Sequence, residues 1–377
     1  MNLKKFKISH YINYIVIGIL TIVFSAITFS GTPLNSSLLY LMEKISISVI
    51  LAVSLSLVVG FLGELSLGHA GFMCVGAYLS GKVAALLMPT LGNGIVTFLI
   101  SLLVGALAAA ICGIIIGIPA LRLRGDYLAI VTLAFGEIVK SIFQNTSDAT
   151  FGGALGLPTP RFNKKYLFII AFVLVLITLA VVQNFIRSKH GRAVTAIRDN
   201  EIAAKATGIN VTKYKLVAFI ISATFAGVAG VLYSFSNSTI QSITFDYNYS
   251  IEILVMVVLG GMGNINGSII AAALITFLNT KLPTILTGDL AVLQDLLYAL
   301  ILIVIIIYNN APALKNFRDR YNLSKLIKKI FRRKNDTAGD DTAKWDVVPT
   351  KIEMNEVLSV DMVPPDLQDP AGKGGDD

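Results

Sequence analysis

An all-α, polytopic transmembrane helical bundle of about ten spans, with eight as the smaller count, is the fold class this sequence predicts. Three observations carry that expectation. The 377 residues are 55% hydrophobic and only 14% charged, whereas a soluble domain carries about 25% charged residues. Mean hydropathy is +0.73. The apolar residues also fall in runs: 11–30, 94–118, 166–186 and 216–236 contain no Asp, Glu, Lys or Arg. Each run reaches the ~20 residues that cross a bilayer core.

In chain order the expected spans are 11–30, 36–61, 66–88, 94–118, 126–145, 165–187, 213–236, 249–262, 265–285 and 290–309. The opening MNLKKFK and its apolar sequel read as a retained first span, because no A-x-A cleavage site follows. Loop charge assigns the sides. With Lys4, Lys5 and Lys7 inside, the loops holding Arg122 and Arg124, seven Lys and Arg between 187 and 215, and the basic 310–334 segment also fall inside. The alternate loops near 31–35, 89–93 and 238–248 have no Lys or Arg, and only 146–165 runs against the bias. Positive-inside logic then expects an even number of spans with both termini cytoplasmic. The net charge of +8 divides unevenly. Residues 1–334 hold 28 Lys and Arg against 12 Asp and Glu, a net +16, and residues 335–377 hold 3 against 11, a net −8. The expected organisation is a transmembrane domain over 1–312 with a cytoplasmic loop at 188–214, a basic juxtamembrane segment at 313–334, and an acidic disordered tail at 335–377. Basic loops of this kind record topology, so no nucleic acid partner is expected.

Enzyme signatures are sparse. Cys74, Cys112 and three scattered histidines form no metal-ligand spacing,, and no metal is expected. The stretch "GAYLSGKV" at 76–83 matches G-x-x-x-x-G-K but ends in Val83, where a phosphate loop needs Ser or Thr for magnesium. No resident cofactor and no catalytic residue are expected. The sharpest enzyme reading is a membrane-embedded hydrolase using Ser66 and His69, three apart in "GELSLGHAGF". Against it stands the reading that His69 is interhelical glue. Glu137 and Lys140, also three apart, are placed to neutralise each other on one helix face. Glu252, Asp289 and Asp295 leave an ion-coupled secondary transporter open.

Two glycine-rich interruptions break the apolar pattern, one around Gly60 and Gly63 and the other around Gly260, Gly261 and Gly263. Paired breaks in two halves point to a transport site at a repeat interface; tight turns between helices packed through small residues give the same pattern. Gly63, Ser66, His69, Gly261 and Asn264 are the candidate substrate-path residues. The 187–215 loop contains "AIRDNEIAAKATGINVTKYK", where Asp199 or Asn200 can start a helix and Gly208 can end it. Glu201 and Lys205 are an i,i+4 pair. About eight residues is below the ~12–15 at which an isolated helix is marginal in water, so this helix must dock. Ile197, Ile202, Ala203, Ala206 and Ile209 supply an apolar face, either for its own bundle or for a partner.

The run "GRAVTAIRDNEIAAKATGINVTKYKLVAFIISATFAGVAGVLY" resembles the permease subunits of ABC importers for branched-chain amino acids. "GELSLGHAGFMCVGAYLSG", "LRLRGDYLAIVTLAFGEIVK", "FGGALGLP" and "VLGGMGNINGSIIAAALI" are similar to further blocks of that family, in its order, over about 40–310. Three departures stand out: Phe151 precedes the glycine pair where the family has threonine, the Glu201–Gly208 spacing is one residue longer than the common permease loop, and the acidic tail from about Asn335 lies outside the shared core. The resemblance implies a glycine-broken bundle of the ABC importer permease type and a membrane subunit with no ATPase site of its own. It implies as partners a second homologous permease, two cytoplasmic ATPases that bind the ATP, an extracytoplasmic solute-binding protein and the lipid bilayer. It also implies that Arg198, Asp199, Glu201, Ala203, Ala204 and Gly208 form the ATPase-coupling loop.

Overall fold

A computed structural model describes residues 35–92, 94–123 and 125–285, together with 17, 18, 21, 22, 24, 25, 299, 300, 303 and 307. The expected spans at 11–30 and 290–309 fall largely outside the described residues, as do the basic segment and the acidic tail. Two compact units run Met1–Asn310 and Ala311–Asp377, and every described residue lies in the first.

The order is α1 (Ser36–Ser56), prolonged by a π-helical turn over Leu57–Leu62; α2 (His69–Leu91); α3 (Ile95–Ala120); α4 (Asp126–Asn145); α5 (Lys164–Arg187); α6 (Lys189–Asp199); α7 (Glu201–Ala206); α8 (Val211–Ser236); α9 (Tyr247–Gly260); and α10 (Ile265–Ile285). Among the described residues, six helices are long and apolar enough to cross a membrane: α1 with its π turn, α2, α3, α8, Tyr166–Arg187 of α5 and Ile265–Pro283 of α10. The expected span at 249–262 does not reach that length. Its helix, α9, has 14 residues, about 21 Å at 1.5 Å per residue, against ~30 Å of hydrocarbon. The helix α4, which carries Asp126 and the ion-paired Glu137 and Lys140, is also not among the six.

Packing follows the logic of a protein whose solvent is lipid. Along α3 the buried positions include Ser101, Gly105, Ala109, Gly113 and Gly117, one every fourth residue. Leu99, Leu103, Leu107, Ile111 and Ile115 stand exposed on another face. Small residues point inward because lipid tails already satisfy large apolar groups, so close backbone approach is what holds helices together. The central trio of α2, α3 and α8 shows how close. A Cβ added at Gly76 would lie 2.4 Å from the Gly227 carbonyl oxygen, and one at Gly227 would lie 2.4 Å from Ala109 Cβ. Gly227→Leu is therefore expected to force α8 off α2 and α3, at about 1–3 kcal/mol or more for overpacking. Equilibrium unfolding in mixed micelles measures it, and native stability would mean that the trio can part without loss.

The "GAYLSGKV" stretch lies within the continuous helix α2, and Lys82 Nζ donates to the Ala149 carbonyl at 3.2 Å. This segment is a helix face, not a phosphate loop. Beyond α4, "FGGALGLP" folds through one helical turn into a two-residue strand, Leu157–Pro158, paired antiparallel with Thr239–Ile240. Phe151 packs edge-on to Phe143, 5.2 Å between centroids, and Phe143 stacks on Tyr78 at 4.3 Å. The departure at Phe151 thus fills an aromatic cluster.

Candidate coupling site

The site begins with the end of α1. Its π turn closes at Gly63, whose φ of +79° falls in the left-handed region that suits glycine,. Residues 63–68 are not helical; Leu67 N–H donates to Thr132 Oγ1 of α4 at 3.0 Å and Ala70 N–H to Ser250 Oγ of α9 at 3.1 Å. The second break, Gly261 to Gly263 between α9 and α10, also has positive φ at both of those glycines. The two breaks meet. A Cβ on Gly60 would stand 2.5 Å from Gly263 N, so these two backbones touch directly.

The polar loop after α5 folds into two helices rather than one. Ser188 caps α6, accepting from Gly191 N–H at 3.3 Å, and α6 ends at Asp199. Asn200 adopts extended backbone, φ −159°, and its Oδ1 accepts from Ala203 N–H at 3.0 Å to start α7,. Gly208, at φ +84°, lets the chain turn toward α8. The expected helix of about eight residues is thus six, and Arg198 sits in the last turn of α6, upstream of it.

Two side chains tie this loop to the breaks. Arg198 Nη1 donates to the Gly60 carbonyl at 3.1 Å, while its Nε and Nη2 hold Asp199 Oδ1 at 3.1 and 3.0 Å. A Cβ on Gly63 would be 2.6 Å from Arg198 Cγ, and one on Gly263 3.7 Å from Nη1. Lys215, in the first turns of α8 and only 3% exposed, is ion-paired with Glu64 just beyond the first break and with Glu201 at 3.2 Å. The loop helices are therefore tied to the first glycine interruption, whose Gly60 in turn touches Gly263 of the second. A cleft of about 420 Å³, lined in part by Gly60, Gly63, Glu64, Arg198 and Met262, opens beside them.

The six expected coupling residues divide. Arg198 is exposed yet donates through Nη1 to Gly60, and Ala204 is buried at 5% exposure against its own bundle. Ala203, Asp199 and Gly208 are exposed, and Glu201 is half-buried. The expected apolar face also splits, because a helix this short has an inner and an outer side. Ile197 is buried and Ile209 half-buried, while Ile202 stands 76% exposed.

The expected substrate-path residues divide as well. Gly63, Gly261 and Asn264 gather at the end of the bundle that meets α6 and α7; Asn264 N–H donates to Gly261 O at 2.9 Å, and its Oδ1 accepts from Gly267 N–H at 3.3 Å. Ser66 and His69 are buried elsewhere. Helical i,i+3 geometry does not relate them, because Ser66 lies in the non-helical stretch and His69 begins α2. His69 Nε2 instead pairs with Ser54 Oγ of α1 at 2.8 Å, and Ser54 O accepts from Ser222 Oγ of α8 at 2.6 Å. That is a three-helix polar clasp. Glu137, besides its pair with Lys140, accepts from Tyr247 N–H at 3.0 Å at the start of α9.

Sequence reasoning counted Lys215 among the topology charges and missed its burial. The available signal was its position at the head of the apolar run of α8, opposite Glu64 in a break.

A family model described as branched-chain amino acid transport system / permease component matches residues 37–307. The high-affinity branched-chain amino acid transport system permease protein LivM of Salmonella typhimurium is 38% identical over 260 residues, 61% of this chain and 60% of the relative; that of Escherichia coli gives the same figures. The ribose import permease protein RbsC of Escherichia coli is 27% identical over 299 residues, 73% of this chain and 86% of the relative. The chain thus spans about 60% of the length of the LivM proteins it matches. No solved structure matches. With the match covering most of the bundle and both glycine breaks, the chain belongs to the family of branched-chain amino acid transport permease components, multi-pass membrane proteins with several apolar helices.

Proposed function

We propose that this chain is the membrane-spanning permease subunit of an ATP-driven, binding-protein-dependent importer that carries branched-chain or related amino acids into the cytoplasm. The observation that carries this reading is the bridge from α6 and α7 through Arg198 to Gly60, at the contact of the two breaks. In this reading a force applied to the exposed side of α7 reaches the first interruption through a guanidinium and a buried ion pair, and the second through the Gly60–Gly263 contact, so that a partner's ATP cycle moves both. The greater identity to LivM than to RbsC favours amino acids over sugars. In this reading α6 and α7 face the cytoplasm and both chain termini lie on that side. A second homologous permease completes the pore, two ATPases bind the ATP and receive α7, and an external binding protein delivers the solute.

Exposed Ile202 and Ala203 then form the centre of the ATPase contact, and Gly208 supplies the turn. Buried apolar residues near the centre of an interface dominate its energy, and a charge there is desolvated without a partner. Ile202→Asp is expected to lower ATP-dependent leucine uptake by about tenfold or more, equivalent to ~1.4 kcal/mol, with membrane insertion unchanged. The test reconstitutes the chain in proteoliposomes with its ATPases, second permease and binding protein, and follows radiolabelled leucine. Uptake by the chain alone, driven by an ion gradient and indifferent to ATP, would replace this reading with an ion-coupled transporter.

A further inference from the structure

A second polar constellation lies toward the other end of the bundle. Along α8, Tyr233 is 18 residues beyond Lys215, about 27 Å at 1.5 Å per residue, and Tyr233 borders a cavity of about 180 Å³. The cavity is walled by α1, α8, α9 and α10, and each of α1, α9 and α10 turns a polar face to it at helical spacing. On α1 that face is Tyr40, Lys44 and Ser48; on α9 it includes Glu252; on α10 it includes Thr276 and Asn279. Ionisable groups gathered inside an apolar bundle mark a functional path by default.

Three details distinguish this cavity from a self-satisfied ion pair. Lys44 and Glu252 line it together, yet among the described residues no salt bridge within 4.0 Å joins them. Lys44 Nζ instead rests 4.9 Å over the Tyr40 ring, and Asn279 Nδ2 donates to Glu252 Oε1. Thr276, 5% exposed, has a buried hydroxyl with no hydrogen-bond partner among the described residues. A buried hydroxyl left unpaired costs about 1–3 kcal/mol, which a ligand atom would recover. The volume lies below the ~300 Å³ at which drug-sized sites begin, so the occupant is a small solute.

We propose that this cavity is a zwitterion-binding station on the translocation route, in which Lys44 receives the carboxylate and Glu252 the ammonium group of a free amino acid. Resting on the importer reading, the assignment adds a site and a reason for selectivity. A neutral sugar would leave a cation and an anion of the cavity unmatched, whereas an amino acid satisfies both and returns a partner to Thr276.

The test uses the assembled importer in proteoliposomes with its binding protein, reading radiolabelled leucine uptake and ATP hydrolysis in parallel. Lys44→Met and Glu252→Gln are each expected to lower uptake about tenfold or more, while hydrolysis stimulated by the loaded binding protein persists. Lys44→Arg and Glu252→Asp are expected to restore a substantial part of uptake, which a residue needed only for packing would not show. Uptake within about twofold of native in both neutral variants overturns the assignment. So does a joint fall of uptake, hydrolysis and assembly that neither conservative variant rescues, since it assigns the pair to folding. Failure of the importer reading is seen separately, in a native assembly that shows no ATP-dependent leucine uptake.

Discussion

Replacing Lys215 with methionine is expected to cost the folded chain about 3–5 kcal/mol, the range for removing one partner of a buried ion pair. Lys215 is 3% exposed and serves two carboxylates, Glu64 at 12% exposure and Glu201 at 30%. Its loss strands Glu64 in a setting with little water, next to the π turn. The cost belongs to the orphaned charge rather than to the attraction it lost, and this gives the prediction a second arm. In Lys215→Met combined with Glu64→Gln the more deeply buried of the two stranded carboxylates is neutralised, only the half-buried Glu201 is left charged, and much of the stability is expected to return,. Equilibrium unfolding in mixed micelles for the two single variants and the double variant forms a double-mutant cycle. A Lys215→Met chain as stable as the native one would show that Glu64 reaches water or another partner without it.

Arg198→Ala is expected to separate ATP hydrolysis from transport. The guanidinium is the one described group that bonds the α6 terminus to Gly60, and it does so while holding Asp199. A partner can still dock on Ile202 and Ala203 in its absence, but the docked helix no longer draws on the breaks. Uptake is expected to fall about tenfold or more, or ~1.4 kcal/mol of lost coupling, with the complex assembled and hydrolysing ATP. Arg198→Lys is expected to recover little, because an ammonium lacks the planar fork that reaches a carbonyl and a carboxylate together. Gly63→Val attacks the same contact from the other side. It places a β-branched residue at φ +79° and a Cβ 2.6 Å from Arg198 Cγ, at about 1–3 kcal/mol for the backbone alone. Native uptake in Arg198→Ala would leave the tether without a role.

The six long helices among the described residues, and their order, were legible because each is strongly apolar. The ends 164–187, 211–236 and 265–285 fall within about two residues of the expected spans, the usual spread at helix termini. The Glu137–Lys140 pair was legible for the same reason, since i,i+3 spacing on a helix makes neighbours,. Local rules failed where the chain stops being regular. Ser66 and His69 share a face only if residues 63–68 are helical, and Gly63 at positive φ ends the helix before them. Asn200 was legible as the cap that starts α7, but the helix before it, Lys189–Asp199, was not, so the loop looked like one helix when it is two. Lys44 sits unannounced in an apolar run, and only the i, i+4 and i+8 recurrence of Tyr40, Lys44 and Ser48 hinted at a polar stripe.

Composition and periodicity were enough for the membrane class, the apolar segments, the two glycine interruptions and the polar loop between α5 and α8, because each depends on neighbours within a few turns. Which distant parts meet is a different matter. Gly60 and Gly263 lie about two hundred positions apart, Arg198 bonds the first of them from a third segment, and Lys215 closes the ring with Glu64. Such contacts depend on the rotation and depth of each helix, set by how small residues in α2, α3 and α8 interlock. That packing is long-range, and the tertiary structure decided it: it turned an isolated polar helix into a handle on both breaks.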